Sequence, residues 1–147
     1  MDSKLRWSSH IARAAEKGGT QLEALSRLVG STWGLTFARA RTLYTAVIRP
    51  TITYGCGIWA GGEKGEGLPE HTLRPLITLQ NKCLRRITGA YKRTPVAALE
   101  KDSNIPPIQM YTRTQAYRRA LNTHQSTAEV AIRQRCERIG YWNRPSR

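Results

Sequence analysis

Acidic residues are scarce in this chain of 147 residues: 10 Asp and Glu stand against 24 Lys and Arg, for a formal charge of +14. The only aspartates are Asp2 and Asp102, and the glutamates are spread along the chain between Glu16 and Glu137. Two-metal phosphoryl chemistry needs carboxylates converging on ions ~4 Å apart, and no such cluster is visible. The chain is therefore expected to hold no catalytic residue, metal or cofactor of its own. Cys56, Cys83 and Cys136 are too few and too scattered for a disulfide framework, which fits a reducing, intracellular compartment, nucleus or cytoplasm. His10, His71 and His124 lie far apart without zinc-ligand spacing. A phosphate-binding Gly-x-x-x-x-Gly-Lys loop is missing, as is a dinucleotide fingerprint. No apolar run approaches the ~18 residues of a membrane span, so no membrane partner is expected.

What is abundant is positive charge, unevenly placed. Residues 1–80 carry ten basic and six acidic side chains, whereas residues 81–147 carry fourteen and four. Self-repulsion on that scale calls for an anionic partner, and phosphate backbones are the commonest. The densest stretch runs through Lys82, Arg85, Arg86, Lys92 and Arg93, with no acid in residues 81–93. Tyr91 lies within it, an aromatic able to stack on a base or sugar.

Helical periodicity dominates the rest. Ile11, Ala15, Gly18, Leu22, Leu25 and Val29 step by four and three, predicting a helix from Ser8 or Ser9, either of which serves as cap, to Gly30. The Gly18-Gly19 pair within it either weakens the helix or permits a close crossing. Thr36 caps a second helix with Phe37, Ala40, Tyr44 and Val47 on one face, and Pro50 is its first expected stop or kink. Residues 51–60 read as strand or helix with equal force, because β-branched residues alternate with Gly55 and Gly57. A glycine-rich loop spans residues 61–69. Leu73, Leu76, Gln80, Leu84 and Ile87 mark a third helix, stopped by Gly89, with Pro75 fitting only near its first turn or as a kink. Thr94 caps a fourth, with Pro95 as its first residue, ending near Ser103-Asn104, and Ile105-Pro106-Pro107 forces an extended turn. A fifth follows from about Ile108 to His124 and a sixth from about Ser126 to Ile139, before a tail. The expected fold is all-α, a small bundle of five or six helices. Cys56 and Cys83 read as core thiols, and Tyr54 and Trp59 as packing residues. Helix-turn-helix DNA binding remains open at the second and third helices, although their glycine-rich nine-residue connection is too long for that turn.

Three phrases, read in order, resemble one family. Residues 2–11 (Asp2, Leu5, Trp7, His10, Ile11) resemble the "D-x-x-L-x-W-x-x-H-I" block of LINE-like, non-LTR retrotransposon reverse transcriptases, especially those of filamentous fungi. Leu43-Tyr44, Pro50, Tyr54-Gly55 and Trp59 are similar to its "L-Y-x-x-x-x-x-P-x-x-x-Y-G-x-x-x-W". Leu79-Gln80-Asn81, Leu84-Arg85, Ile87, Gly89 and Thr94-Pro95 are similar to its "L-Q-N-x-x-L-R-x-I-x-G-x-x-x-x-T-P". Leu99 and Ile105-Pro106-Pro107-Ile108 continue the pattern, and beyond residue 108 only helical, basic character remains.

The resemblance implies the helical thumb and connection that follow the polymerase palm and hold the template–primer. Residues 1–108 then form the thumb-like region, and 109–147 a basic connection or tail towards a further domain. The family's Tyr/Phe-x-Asp-Asp pair and its magnesium belong to the palm upstream, so the chain is expected to be a fragment, inactive alone, whose parent is an RNA-directed DNA polymerase. Its partners would be RNA, DNA or an RNA–DNA hybrid, and the palm. Arg85, Arg86, Lys92 and Arg93 are the first candidates for phosphate contact, Arg39 and Arg41 the second, with Tyr91 as a stacking residue. The rival reading is a free-standing basic helical module that binds RNA or a protein and has no polymerase relationship.

Overall fold

In the computed structural model, residues 7–28, 35–61, 67–124, 130 and 134–135 are described. Among them the regular structure is helical throughout, as the periodicity predicts: α1 Ser8–Leu28, α2 Phe37–Leu43, a π-helical turn Tyr44–Ile48, α3 Arg49–Ile52, α4 Cys56–Trp59, α5 Glu70–Thr88, α6 Val96–Ser103 and α7 Ile108–His124. Of the expected sixth helix, only Val130, Gln134 and Arg135 are described, each helical. The rest of it, the tail and Cys136 lie outside the described residues, as do Val29 and residues 62–66 of the glycine-rich loop.

α1 lies across α5 and α3, and a glycine makes the crossing close. A Cβ on Gly18 would run into Ile52 Cγ2 and Leu79 Cδ2, whereas one on Gly19 would meet nothing within 4 Å. Of the two readings of this pair, Gly18 therefore takes the close crossing and Gly19 only the weakened helix. The stripe on α1 buries Ile11, Gly18 and Leu25, while Ala15 and Leu22 pack at its margin.

The second expected helix differs from its sequence reading in phase. Ala40 and Tyr44 are buried, but Phe37 and Val47 are 44% and 45% exposed, and Ile48 and Ile52 take the inward positions. The cause is the π turn, in which the Arg49 N–H donates to the Tyr44 carbonyl five residues back. One extra residue in the turn moves the buried face onto four-residue steps at 40, 44, 48 and 52. Pro50 neither stops the rod nor ends it. It occupies the first turn of α3, directly after the π turn, and helix continues to Ile52. Thr36 stands at the N-cap of α2 in extended conformation but makes no side-chain capping bond.

Residues 51–60 are not a strand. After α3 the chain turns at Thr53–Gly55, with Gly55 in the left-handed region at φ 69°, and enters the short α4. Trp59 of α4 is 2% exposed, and its indole N–H donates to the Tyr54 carbonyl at 2.8 Å. The Tyr54 side chain is 78% exposed, correcting its expected packing role: it contributes its carbonyl to the core and its ring to the surface. Trp59 also meets His10, which in turn meets Trp7 edge-on, so the start of α1 and α4 are held by one aromatic cluster.

α5 buries Leu73, Leu76, Leu79, Gln80, Cys83, Leu84 and Ile87, and stops where Gly89 turns left-handed at φ 66°. Pro75 lies inside this helix, beyond its first turn, on an exposed position. α6 starts one residue later than its sequence predicts. Pro95 is the N-cap and Val96 the first helical residue, because the Pro95 carbonyl accepts the Leu99 N–H. At its other end Asn104 is left-handed at φ 50°. The buried Gln80 links three segments: it accepts from the Tyr44 hydroxyl at 3.2 Å and donates to the Pro106 carbonyl at 3.0 Å. A lone amide in an apolar core is tolerable because both its ends are paired, and this one fixes the Ile105-Pro106-Pro107 turn against α5.

Candidate nucleic-acid interface

The basic stretch around residue 90 is built on the end of α5. Gly89 reverses the chain, the Ala90 N–H returns to the Arg85 carbonyl at 3.1 Å, and the Thr94 N–H closes a second turn on the Tyr91 carbonyl at 3.0 Å. These two bonds project Tyr91, Lys92 and Arg93 outward, and the Tyr91 ring is 88% exposed. An aromatic ring that forgoes burial beside two cations suits base or sugar stacking next to phosphate contact.

The remaining candidates are not equivalent to that loop. Arg85 is half-buried and donates to the Asn81 carbonyl at 3.2 Å and the Thr94 carbonyl at 3.5 Å, bracing the loop from beneath. Arg86 donates to the Ser26 carbonyl at 2.6 Å, tying α5 to the last turn of α1. Arg41 donates to the Ser103 and Asn104 carbonyls at 2.6 and 3.2 Å. Those carbonyls end α6, where a cation answers both the orphan acceptors and the helix dipole. Arg39 is exposed on α2. Arginine carries five N–H donors, so the tethered guanidiniums keep donors to spare, but their backbone bonds give them a structural task as well. Nothing in the spacing along the chain distinguishes Arg41 and Arg86 from Lys92 and Arg93; the distinction comes from contacts 60 or more residues away in the chain.

Three further arginines escaped the sequence reading as site residues. Arg49 lies over the Tyr111 ring, 4.5 Å from its centroid. Arg118 and Arg119 sit exposed on α7 against α4. The signal that could have found the latter pair is the weak apolar patterning of residues 108–124 beside two adjacent cations.

Burial pushes the Cys83 thiol up to about 12 and raises that of Cys56 as well. Both therefore remain thiols at neutral pH, as expected of core cysteines. Burial also raises the Tyr44 hydroxyl well above its ordinary value. Among the described residues no three His, Cys, Asp or Glu side chains gather to hold a metal ion. The carboxylates among the described residues do not converge as a magnesium pair requires. No helix among the described residues is long and apolar enough to cross a membrane.

No family model matches the chain, and no solved structure matches it at a significant level. It is similar to the RNA-directed DNA polymerase from the mobile element jockey of Drosophila melanogaster, with 28% identity over 131 residues. That alignment takes in 86% of this chain and 13% of the relative's length. The similarity is thus to one segment of a mobile-element polymerase, the class of protein towards which the motifs at residues 2–108 point.

Proposed function

We propose that this chain is a template–primer-holding region of a retrotransposon reverse transcriptase, thumb-like over residues 1–108, with residues 109–147 leading towards a neighbouring domain. It grips the sugar–phosphate backbone of an RNA–DNA hybrid or duplex without reading sequence. Catalysis and its magnesium belong to a palm elsewhere in the parent polymerase. The observation that carries the reading is the similarity to a polymerase segment over 131 residues, and the outward-facing Tyr91-Lys92-Arg93 loop supplies the surface. Lys92 and Arg93 are the leading phosphate contacts, and Arg39 is a further one. Arg85, Arg86 and Arg41 lend residual donors while holding the loop, α1 and α6 in place.

The test is a double substitution in the loop. Lys92→Ala with Arg93→Ala is expected to weaken binding to all hybrid sequences alike and to reduce the slope of log K against log salt by ~2, one unit per lost phosphate contact. Thermal stability should not change, because both side chains are exposed and neither is bonded to another described residue. Unchanged affinity and slope in the folded variant would remove the loop from the interface.

A further inference from the structure

A second basic surface lies between α4 and α7, separate in its residues from the loop after α5. It is an open groove of about 660 Å³ whose one wall is formed by Thr53, Gly55, Cys56 and Gly57 and whose other wall is α7. Gln115, Arg118, Arg119, Asn122 and Thr123 supply the α7 side. None of the lining residues is acidic and none is aromatic. The groove therefore offers donors and cations, with neither a carboxylate to repel phosphate nor a ring on which a base would stack.

Gly57 is what brings Arg119 into this groove. A Cβ at position 57 would lie 2.8 Å from Arg119 Cδ and 3.2 Å from Arg119 Cβ. The arginine stem thus lies directly on the glycine backbone, at the side of the groove that Arg119 lines. Neither Arg118 nor Arg119 is engaged by a hydrogen bond or ion pair with the described residues, unlike Arg41, Arg85 and Arg86. Among the described residues nothing answers their charge.

We infer that this groove binds the sugar–phosphate backbone of a nucleic-acid strand, with Arg118 and Arg119 on different phosphates. Adjacent positions on an α-helix diverge by ~100°, so the two guanidiniums are poorly placed to converge on one small anion and well placed to flank a chain running between them. From Gln115 to Thr123 the α7 wall extends ~12 Å at 1.5 Å per residue. That is more than one nucleotide step at the ~3.4 Å rise of a duplex strand. The absence of an aromatic lining means that the contact selects for phosphate spacing and not for base identity. The inference rests on the proposed nucleic-acid function for its class of ligand, but assigns it a surface outside the motif residues.

The experiment uses the full chain, ¹⁵N-labelled, with the amide resonances of Gly55 and Gly57 as local reporters. A twelve-nucleotide oligothymidylate is titrated in parallel with inorganic phosphate. The oligonucleotide is expected to shift both amides in the ~10⁻⁴ to 10⁻⁶ M range of sequence-independent binding, and phosphate at the same concentrations to leave them still. Arg118→Ala with Arg119→Ala should reduce the salt slope by ~1.4, at ~0.7 per charge on a single strand. Arg118→Lys with Arg119→Lys should keep the slope, which separates lost charge from lost folding. Gly57→Ala, which displaces the Arg119 stem without removing charge, should weaken binding several-fold. Oligonucleotide binding that leaves the glycine amides unmoved, and that Lys92→Ala with Arg93→Ala abolishes, would overturn the groove while sparing the proposed function. Equal response to phosphate would make it a small-anion site and overturn the strand. Failure of the chain to bind any nucleic acid would overturn both.

Discussion

Trp59→Ala is expected to cost ~3–5 kcal/mol, the range for truncating a large buried aromatic. Against a total stability of ~5–15 kcal/mol for a domain, that leaves the chain marginal or unfolded at ambient temperature. The reason lies in what Trp59 anchors. α4 is four residues long, far below the length at which a helix supports itself in water. Its position depends on the indole, which is sealed in the core, bonded to the Tyr54 carbonyl and packed beside His10. Trp59→Phe keeps most of the apolar contact and loses the hydrogen bond, so ~1 kcal/mol is expected from that term. Chemical denaturation of the three proteins reads both effects from the transition midpoints. A loss below 1 kcal/mol for the alanine variant would show that α4 is not held by its tryptophan.

The second large effect is a pair of identical substitutions with opposite signs. Gly18→Ala should destabilise by ~1–3 kcal/mol, the usual penalty for overpacking, because the new methyl meets Ile52 and Leu79. This outweighs the ~1 kcal/mol that alanine gains over glycine as a helix former. Gly19→Ala, one position on, faces open space and should stabilise by ~0.4–1 kcal/mol by restricting the unfolded chain. Melting curves of the two variants beside the parent protein decide it. If both raise the midpoint, α1 does not cross α3 and α5 as closely as described.

These two predictions also show where the sequence is informative. The run from Leu73 to Ile87 repeats with helical period and ends at a glycine, so α5 and its stop can be read directly. α7 is bounded by Pro106-Pro107 and is equally plain. The Gly18-Gly19 pair is legible only as an alternative, weak helix or close crossing, because the neighbour that decides between them, Leu79, comes some sixty residues later. The π turn is illegible for a different reason. Phe37, Ala40, Tyr44 and Val47 satisfy an ordinary helical stripe, and only packing against α1 and α5 decides that Ile48 and Ile52 turn inward instead. Residues 51–60 carry β-branched side chains suited to a strand, but no partner strand exists among the described residues, and Gly55 admits the left-handed turn that opens α4. An aromatic in a motif looks like core, whereas at Tyr54 it is the carbonyl that the core uses.

The candidate interface divides along the same line. Charge density is a property of the sequence, and it draws attention to the stretch ending at Arg93. Whether a given guanidinium is free or bonded depends on which carbonyls lie within reach. Arg41 looks like a surface cation until the end of α6 is placed beside it, and Arg118 and Arg119 look unremarkable until the glycine wall of residues 55–57 is set against α7. Local composition finds the attraction, and the packing of distant segments assigns the residues.

The most direct test of the account is the salt dependence of binding of the purified chain to RNA–DNA hybrids of unrelated sequence. Arg39, Lys92 and Arg93 on the loop side and Arg118 and Arg119 in the groove imply about five phosphate contacts, hence a slope of log K against log salt of about −4.5 at ~0.9 per contact, the same for every hybrid. A slope between 0 and −1, or an affinity that varies by orders of magnitude with sequence, would contradict a backbone-gripping role and return the chain to the rival reading of a module with another kind of partner.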